Sequence, residues 1–415
     1  MKKIILSALL AATFTQTHAQ QVITDTVSIG TLYANQVWYS LKNDQQGIAP
    51  KANWDIAFDV SGFGSGIMIN SVIGTTLWKY PKADIAGWSS VDTTGLSTWT
   101  AHYNSDTSWA LGAMGNYTNP TNPYDLDWGL YNITTHAVTG DSIYIIKLAD
   151  TTYRKLWIES LSGSIYTFKY ANLDGTNLQS ATLDKSAYTG KNFGYFSIRT
   201  NAALDREPAT VNWDLVFTQY TAFIPMAYTV TGVLSNNGVQ VAKLGGITNA
   251  GTYSDYSTAN FSSAINSIGY NWKTFSGTAY VVQDSLLYFV KPLSGDIWKV
   301  MFTGFDGSST GNFIFSKQKL ATSSIPSVNG APAASLALYP NPSNGQAIHV
   351  AYSFDANVPS AMVSVYDVTG KLVAQDNLDT TSGLHQYQLP TLHTSMYIVE
   401  IEAPGTHLQQ KLIVQ

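Results

Sequence analysis

The chain of 415 residues contains no cysteine. This absence excludes disulfides, thiolate metal sites, thiol catalysis and a lipid anchor on an N-terminal cysteine. Charged residues make up only 12% of the chain, with 22 basic against 27 acidic side chains and a formal net charge of −5. A nucleic-acid binder normally carries a basic patch, so we expect no nucleic-acid partner. The core must be held by burial alone.

Long hydrophobic runs are also missing. The longest, Ile4–Phe14, spans 11 residues and follows Lys2 and Lys3. Such a run is too short to cross a bilayer but is typical of a signal peptide. Small residues in Thr17–Ala19 predict cleavage after Ala19. We therefore expect residues 1–19 to be a signal peptide, no transmembrane segment elsewhere, and an exported protein.

The sequence is instead rich in tyrosine (25), tryptophan (11) and glycine (32). Several segments alternate apolar and polar residues over the length of a strand, for example Asp141–Ala149 and Ser164–Leu173. No long stretch keeps an apolar period of 3.6 residues between helix caps. These patterns predict an all-β protein.

Part of the sequence is repeated. "NWDIAF" at Asn53–Phe58 returns 159 positions later as "NWDLVF" at Asn212–Phe217. Downstream, Ile143–Ile158 aligns without a gap on Leu287–Phe302, and order is kept throughout. The order indicates an internal duplication. We predict a first unit over residues 20–190 and a second over 191–320, and interpret each Trp-Asp pair as structural.

The first unit carries a long insert between Gly74 and Thr139 that is rich in Trp, Gly, Asn and Pro. Irregular inserts on a β-scaffold are common binding regions. The insert holds His102 and His136, the only histidines between the predicted signal peptide and residue 321. Asp125 and Asp127 in the insert faintly match a calcium loop, but its remaining ligand positions are missing, so we predict no metal site.

The repeated region resembles the HmuY-like haem-binding family through "WDIAF", "WDLVF", "NFGYFSIRTN" and the two late strand pairs. The resemblance implies an all-β fold in which two axial His or Met side chains grip haem. It implies haem as cofactor, with His102 and His136 as ligands and Met68 and Met114 as alternatives. The competing interpretation places both histidines in exposed loops and the aromatic residues in a satellite core.

After a small, polar linker at residues 321–335, residues 336–415 form a third segment with about seven short strand patterns. "LALYPNPSNGQ", "VSVYDVTGKLV", "MYIVEIEA" and "QKLIVQ" closely resemble the type A C-terminal sorting domain of the type IX secretion system. The resemblance implies an Ig-like β-sandwich that the secretion machinery recognises, and a secreted or cell-surface protein. The positions that carry it are Pro340, Asn341, Pro342, Gly345, Asp367, Gly370, Tyr397 and Lys411.

The functional hypotheses remain open at this point. The first is surface capture of a ligand, with haem or another porphyrin as candidate. The second is an adhesin or structural module that binds glycan or protein through the aromatic residues of the insert. The sequence shows no His-Glu-x-x-His and no Gly-x-Ser-x-Gly, so we expect no enzymatic activity.

Overall fold

The computed structural model describes residues 21–321 and 334–415, except residues 344, 347, 369 and 405. The predicted cleavage after Ala19 and most of the linker lie outside the described residues. Within them, thirty strands and seven short 3-10 segments form, and no α-helix is present. The all-β prediction is confirmed.

The strands follow one another along the chain in three groups. The first fifteen are β1 (Ile23–Ser28), β2 (Asn35–Ser40), β3 (Asp44–Pro50), β4 (Ile56–Asp59), β5 (Ile67–Ile69), β6 (Thr76–Lys79), β7 (Ala101–His102), β8 (Gly129–Asn132), β9 (Ala137–Gly140), β10 (Tyr144–Lys147), β11 (Tyr153–Ser162), β12 (Ile165–Ala171), β13 (Gln179–Asp184), β14 (Phe193–Ser197) and β15 (Ala202–Leu204). The next eight are β16 (Leu215–Phe223), β17 (Ala227–Ser235), β18 (Gln240–Leu244), β19 (Lys273–Phe275), β20 (Tyr280–Val282), β21 (Leu287–Lys291), β22 (Ile297–Phe305) and β23 (Asn312–Ala321). The last seven are β24 (Ala334–Tyr339), β25 (His349–Phe354), β26 (Met362–Asp367), β27 (Leu372–Asn377), β28 (Gly383–Gln388), β29 (Ser395–Ala403) and β30 (Thr406–Val414). The 3-10 segments are Thr31–Tyr33, Ser71–Ile73, Ile85–Ser90, Leu96–Thr98, Lys185–Tyr188, Thr210–Asn212 and Gly307–Ser309.

The first sandwich is built from one continuous part of the chain. Its sheets have the orders β15-β14-β4-β5 and β13-β12-β11-β10-β6-β7, and the β8–β9 hairpin joins through β11. Alternate residues of the strands point inward, as the period of two requires. Phe58, Tyr166 and Phe168 meet in its core with ring centroids 4.7–5.0 Å apart.

The second sandwich takes strands from two distant parts of the chain. Its sheets have the orders β3-β2-β16-β17 and β1-β23-β22-β21-β18. Strands β1 to β3 precede the first sandwich in sequence, and β16 to β23 follow it. The N-terminal strands therefore complete a core that contains Tyr39, Phe217 and Phe315.

The two sandwiches share one strand plan. Ile56 pairs with Phe196 in the first, and Leu215 pairs with Tyr39 in the second, at matching positions of the repeated sequence. Each strand that follows an "NWD" segment is therefore paired with a hairpin that lies on the other side of the predicted unit boundary. The boundary at residues 190 and 191 stays a prediction about the sequence repeat. In the structure, strands from both sides of this boundary pair within the same sheet.

The two aspartates of the "NWD" segments hold these pairings. Asp55 is fully buried and accepts hydrogen bonds from Arg199 Nε at 2.8 Å and Ser197 Oγ at 3.2 Å. Asp214 accepts from the backbone N–H of Leu41 at 2.7 Å. Buried carboxylates need such partners because desolvation without them is costly. The aspartate of each repeated motif thus stabilises the pairing between the strand that follows it and the hairpin from the other unit.

The C-terminal strands form a separate sandwich. Its sheets are β24-β25-β28 and β27-β26-β29-β30. Its core cluster draws only on residues from Ala334 onward, including Tyr352, Phe354 and Val399. The third predicted segment therefore has a core of its own.

Candidate functional site: a cleft between the two sandwiches

The first two sandwiches pack back to back through the outer faces of the sheets that contain β4 and β16. Two adjoining cavities of about 90 and 50 Å³ lie between these faces. Both are lined by Gln36, Trp54, Met68 and Trp109, so we treat them as one cleft. The cleft takes walls from both copies of the repeat.

Aromatic side chains form the inner part of the cleft. Trp54 packs edge-on against Tyr195 with ring centroids 5.1 Å apart. Trp109 comes from the insert and donates Nε1–H to the carbonyl of Ser235 at 2.8 Å, which ties the insert to the second sandwich. Edge-to-face packing fixes these rings in place. The smaller cavity is also lined by Trp38 and Trp213.

Two charged residues follow β15, the half-buried Arg206 and the buried Glu207. The Arg206 guanidinium lies 4.8 Å from the Tyr195 ring and 5.5 Å from the Trp38 ring, and it donates to Gln36 Oε1 at 3.0 Å. Glu207 lines the smaller cavity and accepts from the Phe193 backbone N–H and from Tyr195 Oη at 2.8 and 2.9 Å. Burial raises the pKa of Glu207 to about 7. Sequence reasoning missed both residues, although "DREP" at 205–208 is a charge cluster between uncharged strands.

Polar side chains form the outer part of the cleft. Lys51 is half-buried and contacts Gln219 Oε1, and burial lowers the pKa of its ammonium group. Ser71 Oγ and Thr221 Oγ1 lie 2.7 Å apart and bridge the two sandwiches. Asp106 lines the same cavity. The cleft therefore combines aromatic surface with amide, hydroxyl, ammonium and carboxylate groups.

The two repeats differ at one buried amide beside the cleft. Asn70 and Asn236 occupy matching positions, since their Nδ2 groups donate to the carbonyls of Trp54 and Trp213 at 3.0 and 2.7 Å. Oδ1 of Asn236 accepts from Asn192 Nδ2 at 2.8 Å. Asn70 lines the larger cavity, and its buried Oδ1 has no hydrogen-bond partner. Only the first repeat leaves this acceptor unused.

The residues predicted as haem ligands lie in different environments. His102 is buried, its ring stacks on Tyr117 with centroids 3.8 Å apart, and its Nδ1 lies 3.3 Å from the carbonyl oxygen of Ala113. Burial lowers the pKa of this imidazole. His136 is exposed, and its Nδ1 lies 2.8 Å from Tyr131 Oη. The two imidazoles contact different residues and do not line the cleft.

The two methionines predicted as alternative ligands, Met68 and Met114, also lie in different environments. Met114 is fully buried in the core of the first sandwich, where its backbone pairs with Ile67. Met68 lines both cavities. Haem ligation by His102 and His136 stays a prediction.

The acidic segment of the insert is engaged in internal hydrogen bonds. Asp125 Oδ1 accepts from the backbone N–H of Asp127 at 2.8 Å, and Asp127 Oδ2 accepts from the N–H of Gly115 at 3.0 Å. Across the part of the chain that the structure describes, no group of three or more His, Cys, Asp or Glu side chains could hold a metal ion.

The residues predicted for the C-terminal sandwich shape its turns and edges. Asn341, between Pro340 and Pro342, donates to the carbonyl of Lys411 at 2.7 Å and accepts from the N–H of Ile413 at 3.0 Å. Asn341 thereby fastens the start of the domain to β30.

Glycines and a tyrosine fix other parts of this sandwich. Gly345 has φ +85°, and a Cβ there would lie 2.2 Å from the Leu392 carbonyl oxygen. The N–H of Gly370 donates to the carbonyl of Asp367 at 3.0 Å and closes the β26–β27 turn. Tyr397 is buried and donates to the His393 carbonyl at 2.9 Å.

Residues 337–415 match the secretion system C-terminal sorting domain. The C-terminal sandwich is a sorting domain. It marks the protein for export by the type IX secretion system, to the cell surface or the medium. Of the described residues, none belongs to a helix long and apolar enough to cross a membrane.

Similarity to curated proteins and solved structures is absent or weak. No curated protein matches the chain. A solved structure described as a tetra-tandem repeat in the extending region of a large adhesion protein matches with 11% identity and a TM-score of 0.17, over 64% of this chain and 70% of the other. The HmuY-like resemblance of the body stays a prediction.

Proposed function

We propose that this exported protein is a surface binding protein that captures the end of a glycan chain in the cleft between its two sandwiches. One observation carries the proposal: the cleft joins aromatic side chains from both repeats to a rim of amide, hydroxyl and charged groups. Ligand sites commonly combine apolar walls with a few placed polar groups. The proposal corresponds to the adhesin hypothesis from the sequence.

The chemistry of the cleft suits a sugar better than a purely apolar ligand. The C–H face of a sugar ring can pack on Trp54 or Trp109, while its hydroxyls can both donate and accept. Lys51 offers donors and Asp106 offers acceptors at the rim. Asn70, whose buried Oδ1 has no hydrogen-bond partner, also lines the cavity. A hydroxylated ring can satisfy groups of both kinds, whereas a hydrocarbon would leave them unpaired.

The size of the cleft limits what enters it. A cavity of about 90 Å³ accommodates one ring or part of one, so we expect a terminal sugar rather than an internal chain segment. The same volume disfavours a whole porphyrin. Haem remains the second candidate ligand because Met68, one of its predicted ligands, lines both cavities.

A glycan array probed with the purified exported chain tests the proposal. The best binder is then titrated against Lys51→Met, which removes the ammonium group but keeps the side-chain length. We expect roughly tenfold weaker binding, because a hydrogen bond to a charged group is lost. Lys42→Met, at an exposed lysine outside the cleft lining, is the matched control and should bind normally. No glycan binding, or equal affinity in Lys51→Met, would contradict the proposal.

A further inference from the structure

The β16–β17 hairpin ends in an exposed apolar tip. Phe223 is 44% exposed, Ile224 47%, Met226 79% and Tyr228 65%. Pro225 between them is also exposed. An exposed cluster of large apolar side chains is unusual on a soluble protein and marks an interaction site.

The tip lies in a stretch of chain without charge. No Asp, Glu, Lys or Arg occurs between Asp214 and Lys243. Exposed strands and turns usually carry charged residues that keep them in water and prevent pairing. The whole hairpin therefore lacks charged side chains, including the part that is exposed to solvent.

The stem of the hairpin is held firmly. Nine residue pairs join Leu215–Phe223 to Ala227–Ser235. The stem is clamped to the first sandwich by the contact between Ser71 and Thr221, and the Phe223 ring packs edge-on against Tyr103 at 6.0 Å. The corresponding β4–β5 pair in the first sandwich has only three residue pairs. The projection is therefore specific to the second repeat and is presented on a rigid base.

We propose that this tip inserts into the apolar boundary of a lipid membrane at the cell surface. The tip is the turn of a hairpin and carries exposed large apolar side chains, which suits penetration of an interface. Its backbone also suits an apolar medium, because Pro225 has no N–H and the N–H of Ile224 donates to the Met226 carbonyl at 2.9 Å. Tyr228 combines an aromatic ring with a hydroxyl, as is common at the level of lipid headgroups.

The location of the protein gives the tip access to lipid. The sorting domain sends the chain to the outside of the cell. An apolar tip can supply a reversible contact with a membrane there. This inference does not depend on the ligand of the cleft.

Sedimentation of the purified full chain with phosphatidylcholine vesicles, with and without phosphatidylglycerol, tests the inference. We expect partition into both kinds of vesicle with little dependence on salt, because the tip is uncharged. The variants Ile224→Asp and Met226→Asp should each partition roughly tenfold less, because an ionised carboxylate is costly to move into lipid. Val211→Asp, at another apolar residue that is 71% exposed, is the matched control and should partition like the wild type.

Three results would overturn the inference. The first is a wild-type chain that does not sediment with either vesicle. The second is binding to anionic vesicles alone that salt abolishes, which would assign the contact to basic side chains. The third is tip-dependent self-association without vesicle binding, which would make a second copy the partner. Circular dichroism of each variant checks that the fold is intact.

Discussion

Closure of the second sandwich by the N-terminal strands can be tested at Ile29. This side chain is fully buried in the second core although it directly follows β1, near the start of the described chain. Its N–H donates to the carbonyl of Gly311 at 3.1 Å, which joins positions 282 residues apart. We expect Ile29→Ala to lower the free energy of unfolding by about 3 kcal/mol, within the usual range of about 2–5 kcal/mol for such a truncation.

Urea unfolding followed by tryptophan fluorescence measures this loss. With a denaturant slope of about 3 kcal/mol/M, the midpoint should fall by roughly 1 M. Ile23→Ala, at the first residue of β1 and 42% exposed, is the matched control and should change stability by less than about 0.5 kcal/mol. Leu183→Ala, at the corresponding strand of the first sandwich and 2% exposed, should cost about as much as Ile29→Ala. If Ile29→Ala behaves like Ile23→Ala, the N-terminal strands do not complete the second core.

Three further predictions concern pH, the tail and haem. Because the folded pKa of Glu207 is raised from 4.5 to about 7, its carboxylate destabilises the fold as pH rises from about 4.5 to 7, by about 3 kcal/mol in all. Glu207→Gln should therefore unfold with a flatter pH dependence than the wild type in urea titrations at pH 5 and 8, and equal slopes would refute the assignment. Removal of residues 334–415 should change the free energy of unfolding of the body by less than about 0.5 kcal/mol, because the tail shares no core cluster with the body. A larger change, measured by calorimetry, would show that the tail packs against the body. A haem titration followed in the Soret region should show a shift that is lost in the double variant His102→Ala/His136→Ala if that pair ligates iron, and an unchanged shift would exclude it.

The sequence predicts the class of fold because alternation and turn residues are local signals. The tail is recognisable because its turn residues Asn341, Gly345 and Gly370 occupy fixed positions that backbone geometry demands. The echo of "NWD" indicates a duplication, and in the structure each copy precedes a strand with an equivalent partner. These features depend on residues close in sequence.

Strand partners could not be predicted in the same way. Alternation states which face of β16 is buried, but it does not state whether β2 or β14 lies beside it. The choice depends on contacts such as Asp214 to Leu41, which join residues 173 positions apart. The cleft could not be predicted for a related reason. In the sequence, Arg206 and Glu207 are typical of charged residues in an exposed loop, and only the packing of the two sandwiches places them beside the cleft.

The pairing of β1 with β23 has a consequence for how the body can be rebuilt. Ile23 lies opposite Lys317, so the body begins and ends on neighbouring strands. A short linker could join these ends, and a new opening at the segment between β15 and β16 would then leave each sandwich in one continuous stretch. The natural chain therefore starts and finishes the body within the second sandwich, whose strands a permuted chain would place in one run.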